Sequence, residues 1–375
     1  LFRDPDDHQA KGQLPEKRMS AVEPEDPGPT AAESLEGIEL PGPWLVVERI
    51  ERGPGHTGGN FSVSYRIEDA DGQPAFLKVL DYELALQFPD TAVALQAMTR
   101  AYLFEVEVLA MCGDKRLSRV VRALDSGETF VQVEGRRERV SYLVFEIADG
   151  DVRDAIDAAD RIDDAWKLRM LHHTATGIRQ LHSNGVAHQD LKPSNVLVFN
   201  GDSSKVADLG CASVRGTQSP HDPLPVPGDR TYAPPELLYG QVALEWNDRR
   251  LASDLYHLGS VAVFLFAGQG VTSLLLDRLA REHHFDEWGD SYDDVLPFIR
   301  VAFDEVMEEF AHVCPEPVRE ELVTRVRELC EPDPSLRGHP INRARPGNQY
   351  SLERYVAAFD KLTRQAAIRL RGELR

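Results

Sequence analysis

The chain of 375 residues sets 62 Asp and Glu against 42 Lys and Arg, a formal charge of −20. That balance excludes a general binder of nucleic acid or of anionic membrane, which needs a basic face. It suits a basic polypeptide partner or plain solubility, and the length allows a large core in one two-lobed domain with a tail.

Residues 1–42 are rich in Pro, Glu, Asp and Ala without apolar periodicity. Such a segment buries too little surface to offset chain entropy, so a disordered acidic tail is expected. The chain opens on Leu1, as a fragment or read-through would, and Met19 offers an internal start. Charges and prolines stand where a leader's apolar run would be, so no secretory signal is expected. Trp44 to Ile50 reads as a strand, and Phe61 to Ile67 alternates as a second, with the glycine-rich stretch Gly53 to Asn60 forming a hairpin loop between them. A third strand runs from Ala75 to Leu80, after the turn at Asp71-Gly72. Leu95, Met98, Tyr102, Glu105 and Leu109 then recur at helical spacing between Asp90 and Cys112. Strands at Thr129–Val133 and Val140–Ile147 complete a small five-stranded antiparallel lobe with one helix. From Asp151 onward helices dominate: Trp166 to Ser183, stopped at Asn184-Gly185, a buried one over Arg250–Gly268, and a terminal one over Ser351–Arg369. The longest apolar stretch, Leu258 to Ala267, falls far short of the roughly 20 residues that span a bilayer. Cys112, Cys211, Cys314 and Cys330 form no C-x-x-C pair and have no His at zinc spacing, which predicts reduced thiols in a cytoplasmic protein.

The stretch His188-Gln189-Asp190-Leu191-Lys192-Pro193-Ser194-Asn195 is followed closely by Asp208-Leu209-Gly210. An acid and an amide on one tight loop can hold a substrate hydroxyl beside a metal ligand. A second acid, just before a glycine, can grip a magnesium ion that bridges phosphates. These stretches resemble the catalytic and metal loops of eukaryotic-type (Hanks-like) Ser/Thr protein kinases, whose patterns read H-R-D-L-K-P-x-N and D-F-G. Tyr232-Ala233-Pro234-Pro235-Glu236 resembles the A-P-E segment of that family, and Ser253-Asp254-Leu255-Tyr256 its buried acid. The resemblance covers roughly residues 44–370. It implies an α+β bilobal protein-kinase-like fold over 43–372, with an N-lobe of 43–148 and a C-lobe of 149–372. Arg- and Ala-rich usage suggests a bacterial member.

The resemblance also implies roles. Asp190 takes the place of the base that accepts the proton of the attacking hydroxyl, and Lys192 that of the cation facing the transferring phosphoryl. Asn195 and Asp208 match the oxygen ligands of Mg2+. Lys78, in Ala75-Phe76-Leu77-Lys78, matches the lysine of V-A-I-K. Its partner is expected to be Glu105, because the rival Glu107 faces away on the same helix. Glu236 is expected to pair with Arg337, and Asp254 to hold the backbone of the catalytic loop. Tyr142 to Ala148 resembles the fifth strand and hinge, with Phe145 as gatekeeper. Backbone groups of Glu146 and Ala148 then meet the adenine edge, and Leu197 forms the pocket floor. Asp151 is either a ribose contact or a helix N-cap. Gly58, Gly59 and Ser62 are the candidates for phosphate contact, although the family's G-x-G-x-x-G keeps only its middle glycine here.

Three further departures stand out. Phe76 replaces the small residue of the adenine ceiling, while Ser64 replaces a branched one on the neighbouring strand, which moves bulk between strands. Gln189 replaces the arginine of H-R-D, which in the family pairs with a phosphate on the activation segment, so catalysis is expected not to depend strictly on that phosphate. Asp229 stands where the family has the threonine that links acid and lysine, with Thr231 a substitute. Ser213, Thr217, Ser219 and Thr231 leave room for autophosphorylation through self-association. The expected function is ATP- and Mg2+-dependent phosphorylation of Ser/Thr hydroxyls in protein substrates. The alternatives are a pseudokinase serving as a nucleotide- or protein-binding scaffold, and a small-molecule phosphotransferase, which lacks the A-P-E-like segment.

Overall fold

The computed structural model describes residues 28–51, 62–158 and 162–373. The N-lobe sheet contains β1 (Leu45–Arg49), β2 (Ser62–Glu68), β3 (Pro74–Leu80), β4 (Ala123–Val133) and β5 (Arg136–Glu146), in the order β1-β2-β3-β5-β4 and antiparallel throughout. Helix α1 (Thr91–Asp114) connects β3 to β4, capped at its start by the Asp90 carboxylate, which accepts from Val93 N–H.

Strand alternation decides what each face of this sheet does. Ala75, Leu77 and Val79 of β3 join Tyr65, Ile67, Val140, Tyr142 and Val144 in one apolar layer. The intervening Phe76, Lys78 and Leu80 turn to the opposite, cleft-facing side, where α1 packs. A single-residue slip in β3 would exchange the two sets, and the pairing of Lys78 with Leu143 on β5 and Ser64 on β2 fixes the register.

The outer layer is closed by residues that the sequence assigned to disorder. Within 28–42, Ala31, Ala32, Leu35 and Leu40 are buried in that layer. The Tyr65 hydroxyl donates to the Ala32 carbonyl at 2.6 Å, and Val46 N–H donates to the Ile38 carbonyl at 3.0 Å. The expectation of disorder is corrected for this stretch. Its few small apolar residues follow no period, because a short turn rather than a regular helix lays them on the sheet.

The C-lobe begins with β6 (Gly150–Asp151), α2 (Val152–Ala158), α3 (Asp164–Ser183) and β7 (Val186–Ala187). The strands β8 (Val196–Phe199), β9 (Ser203–Val206) and β10 (Ser213–Val214) follow, then α4 (Pro235–Leu238) and α5 (Ala252–Ala267). Next come α6 (Val271–Leu276), α7 (Tyr292–Val313), α8 (Arg319–Cys330), α9 (Pro340–Arg343) and α10 (Glu353–Glu373). α3 stops at Asn184, with Gly185 at φ +72, as the Asn-Gly pair predicts. α5 is buried on nearly every side and ends on Gly268 in the left-handed region. A π-helical turn at Asn247–Leu251 leads into it. β4 begins earlier than its apolar alternation suggests, because Asp125 to Glu128 are carried into the sheet by pairing with β5 across a bulge.

Glu236 and Arg337 form the expected buried pair, with Nη1–Oε1 at 2.7 Å and Nη2–Oε2 at 2.8 Å. The remaining guanidinium protons go to carbonyls of Glu331, Ala252 and Pro332. With Arg337 wholly buried, Arg337→Met leaves a desolvated carboxylate without its countercharge. Stability should fall by about 3–5 kcal/mol, read as a lowered urea midpoint, and the double variant with Glu236→Gln should recover part of that loss.

Candidate active site

Lys78 crosses from β3 into the cleft and is held by two acids. Its Nζ lies 3.1 Å from both carboxylate oxygens of Glu105 and 3.3 Å from Oδ1 of Asp208. Glu105 is buried and Glu107 exposed, as the helical argument requires. Burial opposes the charge on Lys78, but Asp208 and Glu105 outweigh it and raise its pKa. Burial raises the Glu105 carboxyl, whereas the Lys78 ammonium holds Asp208 below the usual range. One cation thus ties a sheet residue, a helix residue and a C-lobe loop to one point.

Asp208 adopts φ +60 and Gln189 φ +68, two non-glycine residues in the left-handed region. Such backbone costs of order 1–3 kcal/mol and persists only where its surroundings enforce it. For Gln189 the enforcing group is Asp254: its two oxygens accept from His188 N–H at 2.7 Å and Gln189 N–H at 2.9 Å. His188 Nδ1 accepts from Asp190 N–H at 3.2 Å, so its Nε2 carries the proton and donates to the Ala207 carbonyl at 2.9 Å. That bond joins the catalytic loop to the residue just before Asp208.

Asp190 is buried at the tip of this loop, and burial raises its carboxyl above the ordinary range. Oδ1 accepts from Asp229 N–H at 2.7 Å; Oδ2 lies 3.3 Å from Lys192 Nζ and 3.2 Å from Asn195 Nδ2. Asn195 Nδ2 also donates to the Asp190 carbonyl at 2.7 Å, which leaves its amide oxygen unengaged among the described residues. Gly228 is required here by close approach: a Cβ would lie 2.4 Å from Asp190 Oδ1. Lys192 also reaches Asp229 Oδ2 at 3.3 Å. Thr231 does not stand in for the missing threonine at Lys192; it donates through both its N–H and its hydroxyl to Asp229 Oδ1. Burial opposes the Asp229 charge, yet the bonds from Thr231 and the Lys192 ammonium hold its carboxyl below the usual range.

Asn195 and Asp208 supply an amide oxygen and a carboxylate, hard donors suited to magnesium. Among the described residues no group of three or more His, Cys, Asp or Glu is placed to hold a metal. Two protein ligands suffice for an ion that completes its shell with water and substrate phosphates.

Phe76, Phe145 and Leu197, the residues expected around the base, pack into one apolar cluster. The rings of Phe76 and Phe145 lie 6.4 Å apart, tilted by 51°. Glu146 sits at the end of β5; its carboxylate accepts from Lys205 Nζ at 2.6 and 2.7 Å, and its N–H donates to Arg122 O at 3.2 Å. Ala148 N–H has no backbone partner among the described residues. Asp151 Oδ1 accepts from Asp154 N–H at 2.9 Å, which makes it the N-cap of α2. Ser62 lies on β2, while Gly58 and Gly59 fall outside the described residues. The structure therefore gathers Lys78, Glu105, Asp190, Lys192, Asn195 and Asp208 around one cleft.

Sequence reasoning missed four contributors: Asp229 as a Lys192 partner, His182, whose Nε2 lies 2.8 Å from Asp254, and the Asp222–Arg250 pair. Arg250 alone carried a signal, a charged residue opening an apolar helix.

A small antiparallel lobe and a helical lobe with these side chains between them define a nucleotide phosphotransferase fold. The family profile described as "Protein kinase domain" matches residues 58–339, and the chain belongs to the protein kinase family. It is similar to the serine/threonine-protein kinase PknA of Mycobacterium tuberculosis, with 26% identity over 250 residues, 65% of this chain and 52% of that protein. Cyclin-dependent kinase G1 of Arabidopsis thaliana is 28% identical over 167 residues, 44% of this chain and 25% of that protein. Extracellular signal-regulated kinase 7 of Drosophila melanogaster is 34% identical over 104 residues, 26% of this chain and 11% of that protein. The chain spans about half the length of the PknA sequence that it matches.

Phe76→Ala should weaken ATP binding about threefold to tenfold, the value of an aromatic contact worth about 0.5–1.5 kcal/mol. It should also reorder the potency of adenine-mimetic inhibitors. Calorimetric titration of both proteins decides this, and superimposable isotherms with an unchanged inhibitor order would remove Phe76 from the pocket.

Proposed function

We propose that the chain transfers the γ-phosphoryl group of ATP to Ser or Thr hydroxyls of protein substrates. The observation that carries this reading is the double grip on Lys78 by Glu105 and Asp208, beside a loop that presents Asp190, Lys192 and Asn195. Lys192 in D-L-K-P-S-N is the Ser/Thr pattern, and the relatives named above carry serine/threonine and related protein kinase names.

In this reading Lys78 orients the phosphates, and the hinge at Glu146 and Ala148 meets the adenine edge above Leu197. Ser62, with Gly58 and Gly59 outside the described residues, is assigned to phosphate contact. Asn195 and Asp208 would hold Mg2+, which would supply charge neutralisation to the phosphates. Asp190 aligns the acceptor hydroxyl and takes its proton while the new O–P bond forms and the bond to the β-phosphate oxygen breaks, releasing ADP. Lys192 faces the charge on the transferring group. A raised carboxyl pKa makes Asp190 a better proton acceptor than an exposed aspartate. A scaffold without turnover gains no support from a site in which all six of these side chains are present and engaged. The chain's acidic charge suits basic protein substrates and not nucleic acid. No helix among the described residues is long and apolar enough to cross a membrane, and the four free cysteines suit a cytoplasmic, reducing compartment.

The test is mass-spectrometric mapping of phosphosites on a basic acceptor protein incubated with Mg-ATP. The wild type should phosphorylate Ser and Thr, and Asp190→Ala should lose about 100- to 10,000-fold in kcat, the range for a missing general base. Equal site occupancy with both proteins would defeat the assignment. The base must be ionised to act, so kcat/KM should rise with pH along an acid limb. Its midpoint should lie above the ordinary Asp value of about 3.9, because burial raises the Asp190 carboxyl.

A further inference from the structure

The segment between Asp208 and Glu236 is pinned to the C-lobe at a point where a buried arginine meets a carboxylate. The Arg250 side chain is 2% exposed, and its Nη2 lies 2.8 Å from Asp222 Oδ1. The same oxygen accepts from the Ser213 hydroxyl at 2.8 Å, and Oδ2 accepts from Ser219 N–H at 2.8 Å. Around this carboxylate the attachments continue. Arg249 Nη2 donates to the carbonyls of Asp222 and Leu224 at 2.9 and 2.7 Å. Trp246 Nε1 donates to Ser213 Oγ at 3.0 Å, and the Arg215 guanidinium lies over the Trp246 ring at 4.8 Å. β10, at the start of the segment, pairs with β7, which leads into the catalytic loop.

Gln189 completes the arrangement. Its amide oxygen accepts from Arg250 Nη1 at 3.1 Å, and its amide nitrogen donates to the Arg250 carbonyl at 2.9 Å and to Asp254 Oδ1 at 3.0 Å. The neutral side chain that replaces the loop arginine thus holds another arginine, which comes from the turn before α5.

We propose that Asp222, gripped by Arg250, is a positioning residue for phosphoryl transfer: a fixed carboxylate that holds the acceptor-side segment in place without a phosphate. This deepens the kinase reading and rests on it. The segment leads from Asp222 through Gly228, which packs against Asp190, to Asp229, which bonds both Asp190 and Lys192, so its placement sets the acceptor side of the cleft. Among the described residues, Lys78, Glu105 and Asp208 of the nucleotide side share no hydrogen bond or ion pair with Asp222, Arg250, Ser213 or Ser219, which form the latch. Ser213 and Ser219 are buried with their polar atoms committed to the latch. A phosphate on either would set like charge against Asp222 and open the segment rather than order it.

The experiment compares the phosphatase-treated full chain with its Asp222→Asn and Asp222→Glu variants, using Mg-ATP and a Ser-containing basic peptide. Wild type should retain its activity after phosphatase treatment. Asp222→Asn should lower kcat at least about tenfold, the equilibrium worth of one charge-assisted hydrogen bond, and raise KM for the peptide while KM for ATP holds. Partial unfolding alone would lower kcat and move neither KM. Asp222→Glu should recover most of the loss. Ser213→Ala removes one bond from the same carboxylate and no charge, and should give a smaller shift of the same kind, which keeps a test in hand should Asp222→Asn fail to fold. Hydrogen exchange over 213–229 should quicken in each weakened variant. Phosphatase treatment that abolishes wild-type activity, or variants with unchanged peptide KM and unchanged exchange, would overturn the proposal. A wild type that phosphorylates nothing overturns the kinase reading and this inference together, and it is told apart because it shows before any variant is compared.

Discussion

The carboxylate of Asp254 is the fixed point of the catalytic half of the molecule. It is wholly buried, and burial opposes its charge. The hydrogen bond from His182 Nε2 at 2.8 Å, with the rings of His257 and His188 nearby, outweighs that cost and holds it ionised far below the usual range. What the charge secures is backbone: the N–H groups of His188 and Gln189 converge on it, and Gln189 is thereby kept at a positive φ that no glycine relieves. The tip of the loop, with Asp190, is aimed by that constraint. The turn before α5, the helix of Asp254, supplies Arg250, so one rigid element carries both the loop and the anchor of the following segment.

The lobes meet through a different device. Lys78 belongs to a strand, Glu105 to a helix and Asp208 to a C-lobe loop, and none of the three has a local reason to approach the others. Their convergence depends on the register of β3, which sends Lys78 to the cleft side while Ala75, Leu77 and Val79 go to the outer core. That outer core is in turn sealed by Ala31, Ala32, Leu35 and Leu40. The stretch before β1 therefore supports the site indirectly, by giving the sheet a reason to keep its register.

The legible parts of this chain were those set by short-range pattern. Resemblance to the short V-A-I-K motif placed Lys78, helical spacing separated Glu105 from Glu107, and Asn184-Gly185 marked the end of α3. The motif residues of the catalytic loop were legible because phosphoryl transfer constrains their order along the chain. What stayed hidden depends on partners distant in sequence. Residues 31–40 carry too few apolar side chains to show a period, and their burial follows only once a sheet face exists to receive them. Asp222 carries no local sign of its partner, because Arg250 lies 28 residues further along the chain. Thr231 was the chemically reasonable substitute at Lys192, yet its hydroxyl turns to Asp229, because the carboxylate two residues earlier already occupies that place.

The charges around the cleft impose a last condition. Lys78 and Lys192 face Glu105, Asp190, Asp208 and Asp229, and the family's neutral threonine has here become an acid. Four carboxylates against two ammonium groups leave the cleft negative before any triphosphate enters, and each ammonium already bridges two acids. A polyphosphate added to such a site is repelled unless cations come with it. In the proposed reading Asn195 and Asp208 offer donor oxygens to such a cation, two protein ligands being too few to retain an ion alone. Nucleotide and divalent metal are therefore expected to bind as one unit, each providing what the other lacks. The second carboxylate on Lys192 makes that dependence stronger than a threonine would.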